Sequence, residues 1–407
     1  AMKLILITLL VVTTALCEKL LYNDYKVYRV TPDKDEHIQF LSELQSSTNT
    51  YDFWSDVKRK SHQVDIMVPP HKINEFEALM SSEEIQFQVT INDVQKVLDK
   101  YNLSVRRGKT YGWDTFYGLG ETYAWLRSLA VKHADKLQLM SIGKSYENRD
   151  ILAVKISTGG SKQSILLDGG FHAREWSGVS TATYLINELL TSNNPEIKNL
   201  ANSFDWYIIP VANPDGYTYS HTNERFWRKT RKPYGACFGA DPNRNFDVEW
   251  VGTGTAEDPC LLQYAGPEPF SEPETRAFAN FVNGKDITMY ITLHSYGQVL
   301  LYPYGYTWRD VENVKDYKLI SEKAVEALAK KYSTKYEFGS VFEIMYRAHG
   351  NSIDWMSVNQ SVPLNFVFEL RDKDDLDPKH IIPCAEEVLD AIVSMFRSAT
   401  DLGYFKN

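Results

Sequence analysis

Three apolar runs in this chain each stop on a residue able to bind a cation or move a proton. Ser164-Ile-Leu-Leu-Asp168 runs through Gly169-Gly170 to His172, Ile287–Leu293 is followed at once by His294, and Asn365–Leu370 carries Glu369 near its end. Runs of this length, apolar throughout and separated by helical patterns, read as buried strands. Ser180–Leu190, Val314–Lys331 and Pro383–Arg397 have helical spacing, the last with Pro near its start, and Ile151–Ile156 and Phe204–Val211 read as further strands. The expected architecture is α/β, a mixed central sheet flanked by helices on both faces.

A smaller unit precedes it. Tyr25–Val30 alternates like a strand and His37–Leu44 is spaced like a helix. Tyr51–Trp54 and Val64–Val68 read as strands, Ile73–Met80 as a short helix and Ile85–Ile91 as a last strand. The β-α-β-β-α-β order predicts a small α+β, ferredoxin-like open sandwich. A polar link from Asp99 to Thr110 follows, and its Arg106-Arg107-Gly108-Lys109 suits a protease cutting after basic residues.

The N-terminus reads as a signal peptide, with Lys3, an apolar run from Leu4 to Val12, and small residues Ala15 and Cys17 before a cut ahead of Glu18. That run is too short to span a bilayer. The expected divisions are a signal peptide at 1–17, an activation unit at 18–107 and a main domain at 108–407, secreted and extracellular. Export suits the cysteines, since a disulfide between Cys237 and Cys260 would close a loop of moderate size, leaving Cys384 as a buried thiol. A formal net charge of −9 argues against a nucleic-acid partner.

The chemistry rests on four elements. His172 and Glu175 sit three apart at a tight glycine turn, where imidazole and carboxylate can converge on one Zn²⁺. His294 is the distant third ligand that such a pair lacks. Of the nine histidines, these two lie directly at the carboxyl ends of apolar strands, the edge where open α/β sheets build sites. His37, His62, His71, His133, His221 and His380 read as structural. Glu369 is a candidate general base and acid; the competing role is an ion pair with Arg371 or another base. Last, Arg225, Arg228 and Arg231, with Asp241-Pro-Asn243-Arg244-Asn245, offer forks and amides that match a free carboxylate.

The strings HAREW, ERFWRKTR, DPNRNFD, LHSYGQ, LYPYGY, IMYRAHGNSIDW and FVFELRD occur in that order. Together the chain resembles the pancreatic-type metallocarboxypeptidases, the carboxypeptidase A and B family, and its N-terminal unit resembles that family's inhibitory activation segment. The resemblance implies one zinc per chain held by His172, Glu175 and His294, with Asp241 orienting the first histidine. It implies Glu369 as base and acid, Arg228 at the oxyanion, and Asn243, Arg244 and Tyr346 clamping the substrate's C-terminal carboxylate. Arg174 and Tyr296 match outer substrate contacts, and Cys237–Cys260 matches the family disulfide.

Ile353 matches the floor of the pocket for the departing side chain, where members that remove Lys or Arg place Asp. With Val341, Met345 and Val367 it implies preference for aliphatic and aromatic C-terminal residues. Arg347 and His349 leave room for some tolerance of acidic side chains, and the acidic stretch Lys373–His380 departs from the family at the outer subsites. The expected partners are peptides and proteins with a free C-terminus and a trypsin-like activating protease cutting near Arg106 or Arg107, with no nucleic acid, no membrane and a monomeric enzyme. The alternatives are a basic- or acidic-residue-preferring enzyme of the same fold, or an inactive secreted binding protein.

Overall fold

The computed structural model describes residues 19–55, 57, 62–102, 110–160, 163–371 and 377–405. The expected signal peptide and the cleavage residues Arg106 and Arg107 lie outside the described residues, as does most of the acidic stretch after Arg371.

The small unit runs β1 (Lys26–Thr31), α1 (Asp35–Ser47), β2 (Asp52–Phe53), β3 (Val64–Val68), α2 (Ile73–Ser82), β4 (Gln86–Ile91) and α3 (Val94–Asn102). Its sheet has the order β2-β3-β1-β4, antiparallel throughout. The link expected from Asp99 begins as helix instead, because α3 has tertiary contacts to hold it. Val94 and Leu98, four apart and so on one helical face, pack with Tyr22, Val27, Met67 and Phe226.

The larger unit runs α4 (Leu119–Lys132), β5 (Leu137–Lys144), β6 (Asp150–Ile156), β7 (Ser164–Gly169), α5 (Trp176–Thr191), α6 (Pro195–Ser203), β8 (Asp205–Ile209), α7 (Pro214–Thr222), β9 (Pro233–Tyr234), β10 (Cys237–Phe238) and α8 (Pro273–Val282). It continues with β11 (Ile287–His294), β12 (Val299–Tyr302), α9 (Val314–Tyr332), β13 (Glu337–Ser340), α10 (Val341–Ile344), α11 (Ser352–Val358), β14 (Leu364–Glu369) and α12 (Ile381–Asp401). Eight strands form one sheet in the order β13-β12-β14-β11-β7-β8-β6-β5. β14, β11, β7 and β8 are parallel neighbours, and antiparallel pairings extend the sheet on either side.

Alternation along these strands feeds two cores. Ile165, Leu167, Ile291, Leu293, Phe366 and Phe368 face the layer that includes α5, α9 and α12, while Leu166, Tyr290 and Val367 face the layer of α8 and α11. β5 was not legible as a strand because it is an edge strand of half-buried and exposed positions, including Gly143, against which α8 packs so closely that a Cβ would lie 2.6 Å from that of Ala277.

α5 begins at Trp176, a turn earlier than the apolar spacing suggests. Its first turn contains Gly178, and a Cβ there would lie 2.8 Å from the Leu293 carbonyl oxygen of β11. A Cβ on Gly169 at the end of β7 would in turn lie 2.8 Å from the Gly178 carbonyl oxygen. Two missing side chains thus let the start of α5 press onto the carboxyl ends of both central strands.

Past β14, Arg371 forks onto Glu387 of α12 through Nε (2.8 Å) and a terminal nitrogen (2.5 Å). Thr334 joins both partners at 2.9 and 2.8 Å. Arg371 is therefore tied to α12 and to Thr334. Since the Glu387 side chain is fully buried and that of Arg371 is 12% exposed, Glu387→Ala strands a buried cation and is expected to cost about 3 kcal/mol. Calorimetry should show the thermal midpoint falling by several degrees; an unchanged midpoint would mean solvent compensates Arg371.

Candidate metal centre

Register places the site. His294 at the end of β11 lies opposite Glu369 at the end of β14, and Leu293 lies opposite Gly169 of β7. Beyond Gly169 the chain turns at Gly170, which has a left-handed φ of 68°, and delivers His172 to the same edge. Glu175 occupies the position just before α5, so the close packing of that helix brings its carboxylate to the edge as well.

The ligand atoms of His172, Glu175 and His294 all lie within 4.8 Å of one another, and all three residues are buried. His172 Nδ1 is 2.7 Å from Glu175 Oε1, His294 Nδ1 is 3.0 Å from Glu175 Oε2, and the two Nδ1 atoms are 3.0 Å apart. On its other side His172 Nε2 stands 3.0 Å from Asp241 Oδ1. An N–H donated there leaves the Nδ1 lone pair facing the cluster. With His294 in the same tautomer, two Nδ1 lone pairs and the Glu175 carboxylate face one point with no hydrogen between the rings. The donor set fits a cation with nitrogen and oxygen ligands, whose tetrahedral partners at about 2.05 Å would sit about 3.3 Å apart.

Burial alone would push the Glu175 carboxyl up, yet the two imidazoles hold it below the usual carboxylate range. Burial likewise opposes ionisation of Asp241, but Arg228, His172 and Arg244 hold it well below its ordinary value. Burial lowers His294, favouring the neutral ring that a metal needs.

Asp241 joins several parts of the site. Its Oδ2 accepts from Arg228 Nε (3.0 Å) and a terminal guanidinium nitrogen (2.9 Å), while Oδ1 accepts from the Asn243 backbone N–H at 2.9 Å. Another Arg228 nitrogen stands 3.8 Å from Glu175 Oε1. Arg244 donates from Nε to the Gly254 carbonyl (2.8 Å), and from its terminal nitrogens to the Asn243 carbonyl (2.8 Å) and the Tyr346 hydroxyl (2.6 Å). The Asn243 side-chain oxygen accepts from the Ser352 N–H at 3.0 Å, which turns its amide nitrogen the other way. Sequence reasoning missed Ser352, whose only signal is its place before Ile353.

One cleft is lined by His172, Glu175, Arg174, Arg228, Asn243, Arg244, Tyr296, Tyr346 and Glu369 together. Arg225 and Arg231 do other work: Arg225 lies 3.6 Å from the Trp176 ring centroid and donates to the Arg174 carbonyl, and Arg231 stacks among Tyr219, Trp227 and Phe238. Ile353, Val341, Met345 and Val367 belong to one apolar cluster. Cys237 and Cys260 form a disulfide, and Cys384 is a buried cysteine outside it.

The small unit closes the cleft from outside. Gln45, Phe53, Trp54 and Ser55 line it. Asp52 accepts from Arg174 at 2.7 Å, the Phe53 carbonyl accepts from the same guanidinium at 3.2 Å, and Asp65 accepts from the Tyr296 hydroxyl at 3.5 Å. Trp54 packs on Phe226 with ring centroids 4.8 Å apart. Asp52 and Asp65 escaped the sequence reading, although acids on a unit expected to cover an arginine-lined cleft are the available signal.

A buried His₂–carboxylate cluster at the edge of a mixed sheet, capped by a separate folded unit, defines a metallopeptidase held as a precursor. The family described as "Zinc carboxypeptidase" matches residues 122–391 and that described as "Carboxypeptidase activation peptide" matches residues 28–101; the chain belongs to the zinc carboxypeptidases. It is 40% identical to zinc carboxypeptidase A 1 of Drosophila melanogaster, over 95% of each chain. It is 35% identical to carboxypeptidase B of Rattus norvegicus, over 91% of each. The crystal structure of carboxypeptidase A from Helicoverpa armigera superposes with a TM-score of 0.85 at 26% identity, covering 94% of this chain and 99% of that one.

Replacing Asp241 with Ala removes the acceptor that orients His172 and is expected to weaken zinc binding about 10- to 100-fold, read by competition with a chromophoric chelator. Asp241→Asn, which keeps an oxygen for His172, should lose less. Equal affinities in all three proteins would exclude this orienting role.

Proposed function

We propose that His172, Glu175 and His294 are the zinc ligands and that the enzyme removes aliphatic and aromatic residues from the C-termini of peptides. The observation that carries this reading is the convergence in one cleft of the His₂–Glu cluster, Glu369 and the Asn243–Arg244–Tyr346 group.

When bound, zinc supplies Lewis acidity toward a carbonyl oxygen and toward water. Arg244, with its planar fork, and the amide of Asn243 receive the terminal carboxylate, and Tyr346 adds its hydroxyl. That grip allows only the last peptide bond to reach the cluster, making the enzyme an exopeptidase. Glu369 takes the proton from the attacking water and returns it to the departing amine. Arg228, fixed by Asp241, stabilises the oxyanion that develops on the scissile carbonyl.

The side-chain preference rests on the apolar cluster of Ile353, Val341, Met345 and Val367, of which Met345 lines the cleft. Asp354, next to Ile353, is no counter-charge for a substrate Lys or Arg. Its carboxylate is spent on the backbone N–H groups of Gly305 and Tyr306 and on Asn351, and burial pushes it up to about 7. Neither His349, buried against the Glu249 carbonyl, nor Arg347, whose Nε donates to the Tyr306 carbonyl, is among the residues lining the cleft.

The precursor reading extends to export and activation. The apolar leader and the Cys237–Cys260 disulfide support secretion, and among the described residues no helix is long and apolar enough to cross a membrane. The divisions 1–17, 18–107 and 108–407, a monomeric enzyme, and activation by a trypsin-like protease near Arg106 or Arg107 complete the proposal.

Glu369→Gln should keep its zinc and lose about 10²-fold or more in kcat; turnover at a near-normal rate would reject Glu369 as the base. Across peptides ending in Phe, Arg and Glu, kcat/KM should favour Phe by roughly 100-fold or more over either charged residue. A preference for Arg or Glu would place a compensating charge in the pocket.

A further inference from the structure

Arg244 and Tyr346 meet although 102 positions separate them. They are held by two interleaved loops, 246–256 after Arg244 and 345–351 around Tyr346. Phe246 N–H donates to the Gly350 carbonyl at 3.0 Å and Gly350 N–H to the Val248 carbonyl at 3.2 Å. Gly254 lies against the Arg347 carbonyl oxygen and Gly350 against that of Arg244; a Cβ at either would be 2.4 Å away.

His349 fills the centre of this contact. It is 7% exposed, and its Nδ1 stands 2.6 Å from the Glu249 carbonyl oxygen. The face of its ring lies on Gly252, where a Cβ would come within 2.7 Å of three ring atoms. Among the described residues its buried Nε2 has no hydrogen-bond partner, so there the polar link the ring makes is through Nδ1. Glu249 and Val251 both hold left-handed backbones, with φ of 40° and 65°, a conformation that side chains with a Cβ resist. A turn built from such residues needs an outside partner, and His349 supplies one. The same turn presents the Gly254 carbonyl that fixes Arg244 Nε.

We infer that His349 is a positioning residue for the carboxylate clamp: one imidazole, bound to the Glu249–Gly254 turn, sets Arg244 and Tyr346 at once. The inference rests on the reading of Arg244 and Tyr346 as that clamp. It acts on ground-state recognition of the terminal carboxylate and leaves the metal cluster and Glu369 untouched.

The test uses the full chain, zinc-loaded and proteolytically activated. Binding of free phenylalanine, which needs the clamp, is compared with binding of a small hydroxamate lacking a carboxylate, alongside KM and kcat for a peptide ending in Phe. His349→Ala should weaken phenylalanine binding and raise KM about tenfold, with kcat and hydroxamate affinity within about twofold. His349→Asn, whose amide N–H can reach the same carbonyl, should restore both to within about threefold. His349→Phe, which fills the space without a donor, should behave like the alanine variant and serves in its place if that protein does not fold. Parent-like binding in the Ala and Phe variants, equal weakening of both ligands, or no recovery with Asn would each overturn the inference. Arg244→Ala separates the two readings: if it too leaves phenylalanine binding unchanged, the clamp reading fails; if it alone weakens binding, only the role of His349 fails.

Discussion

The geometry of this molecule depends on how closely the first turn of α5 approaches β11. With Gly178 against the Leu293 carbonyl and Gly169 against Gly178, the helix starts almost on top of the strand ends. Glu175 can then reach His172, three residues before it, and His294, 119 residues after it. A methyl group at either glycine would meet backbone, which cannot step aside as a flexible side chain can. The helix would have to lift, and the carboxylate would rise with it. Three ionisable groups buried at one point are costly without a compensating charge, so the arrangement makes physical sense as a receptacle for a cation.

Around that cluster, charge is balanced through Asp241. A fully buried carboxylate faces His172 with one oxygen and Arg228 with the other. It therefore sets the direction of the His172 Nδ1 lone pair and the location of the guanidinium proposed for the oxyanion. The same residue caps the short turn at 242–244 through the Asn243 N–H, which fixes the direction in which Asn243 and Arg244 leave the backbone. The proposed metal, oxyanion and carboxylate sites thus share one support.

Much of this was legible before any coordinates. Apolar runs ending in His, His and Glu located the central strands and the sheet edge, because burial on both faces leaves a continuous hydrophobic signal. β5 was not legible, since an edge strand half in solvent has no such run. The early start of α5 was hidden because a helix turn containing Gly178 looks like a break until the strand it packs against is known. The grouping of Asn243 and Arg244 with Tyr346 depended on family likeness: a tyrosine beside Met345 has no local mark of function, and only the fold brings it to an arginine 102 positions earlier. His349, in sequence a basic residue near the pocket, is buried in three dimensions against the Glu249 carbonyl. Asp52 and Asp65 have no local mark of their own for a similar reason, as their partners Arg174 and Tyr296 belong to another folding unit.

The grip of Asp52 on Arg174, together with the seat of Tyr22 and Trp54 on Phe226, has a kinetic meaning beyond blockade. While both units share one backbone, the cover is present at a fixed effective concentration, and diluting the protein cannot loosen it. Severing the link turns the cover into an ordinary diffusible ligand, whose occupancy falls as the solution thins or as substrate accumulates. The delay between a cut and full unmasking would then be set by the off-rate of a small folded domain, giving the precursor a built-in timer separate from the cutting itself.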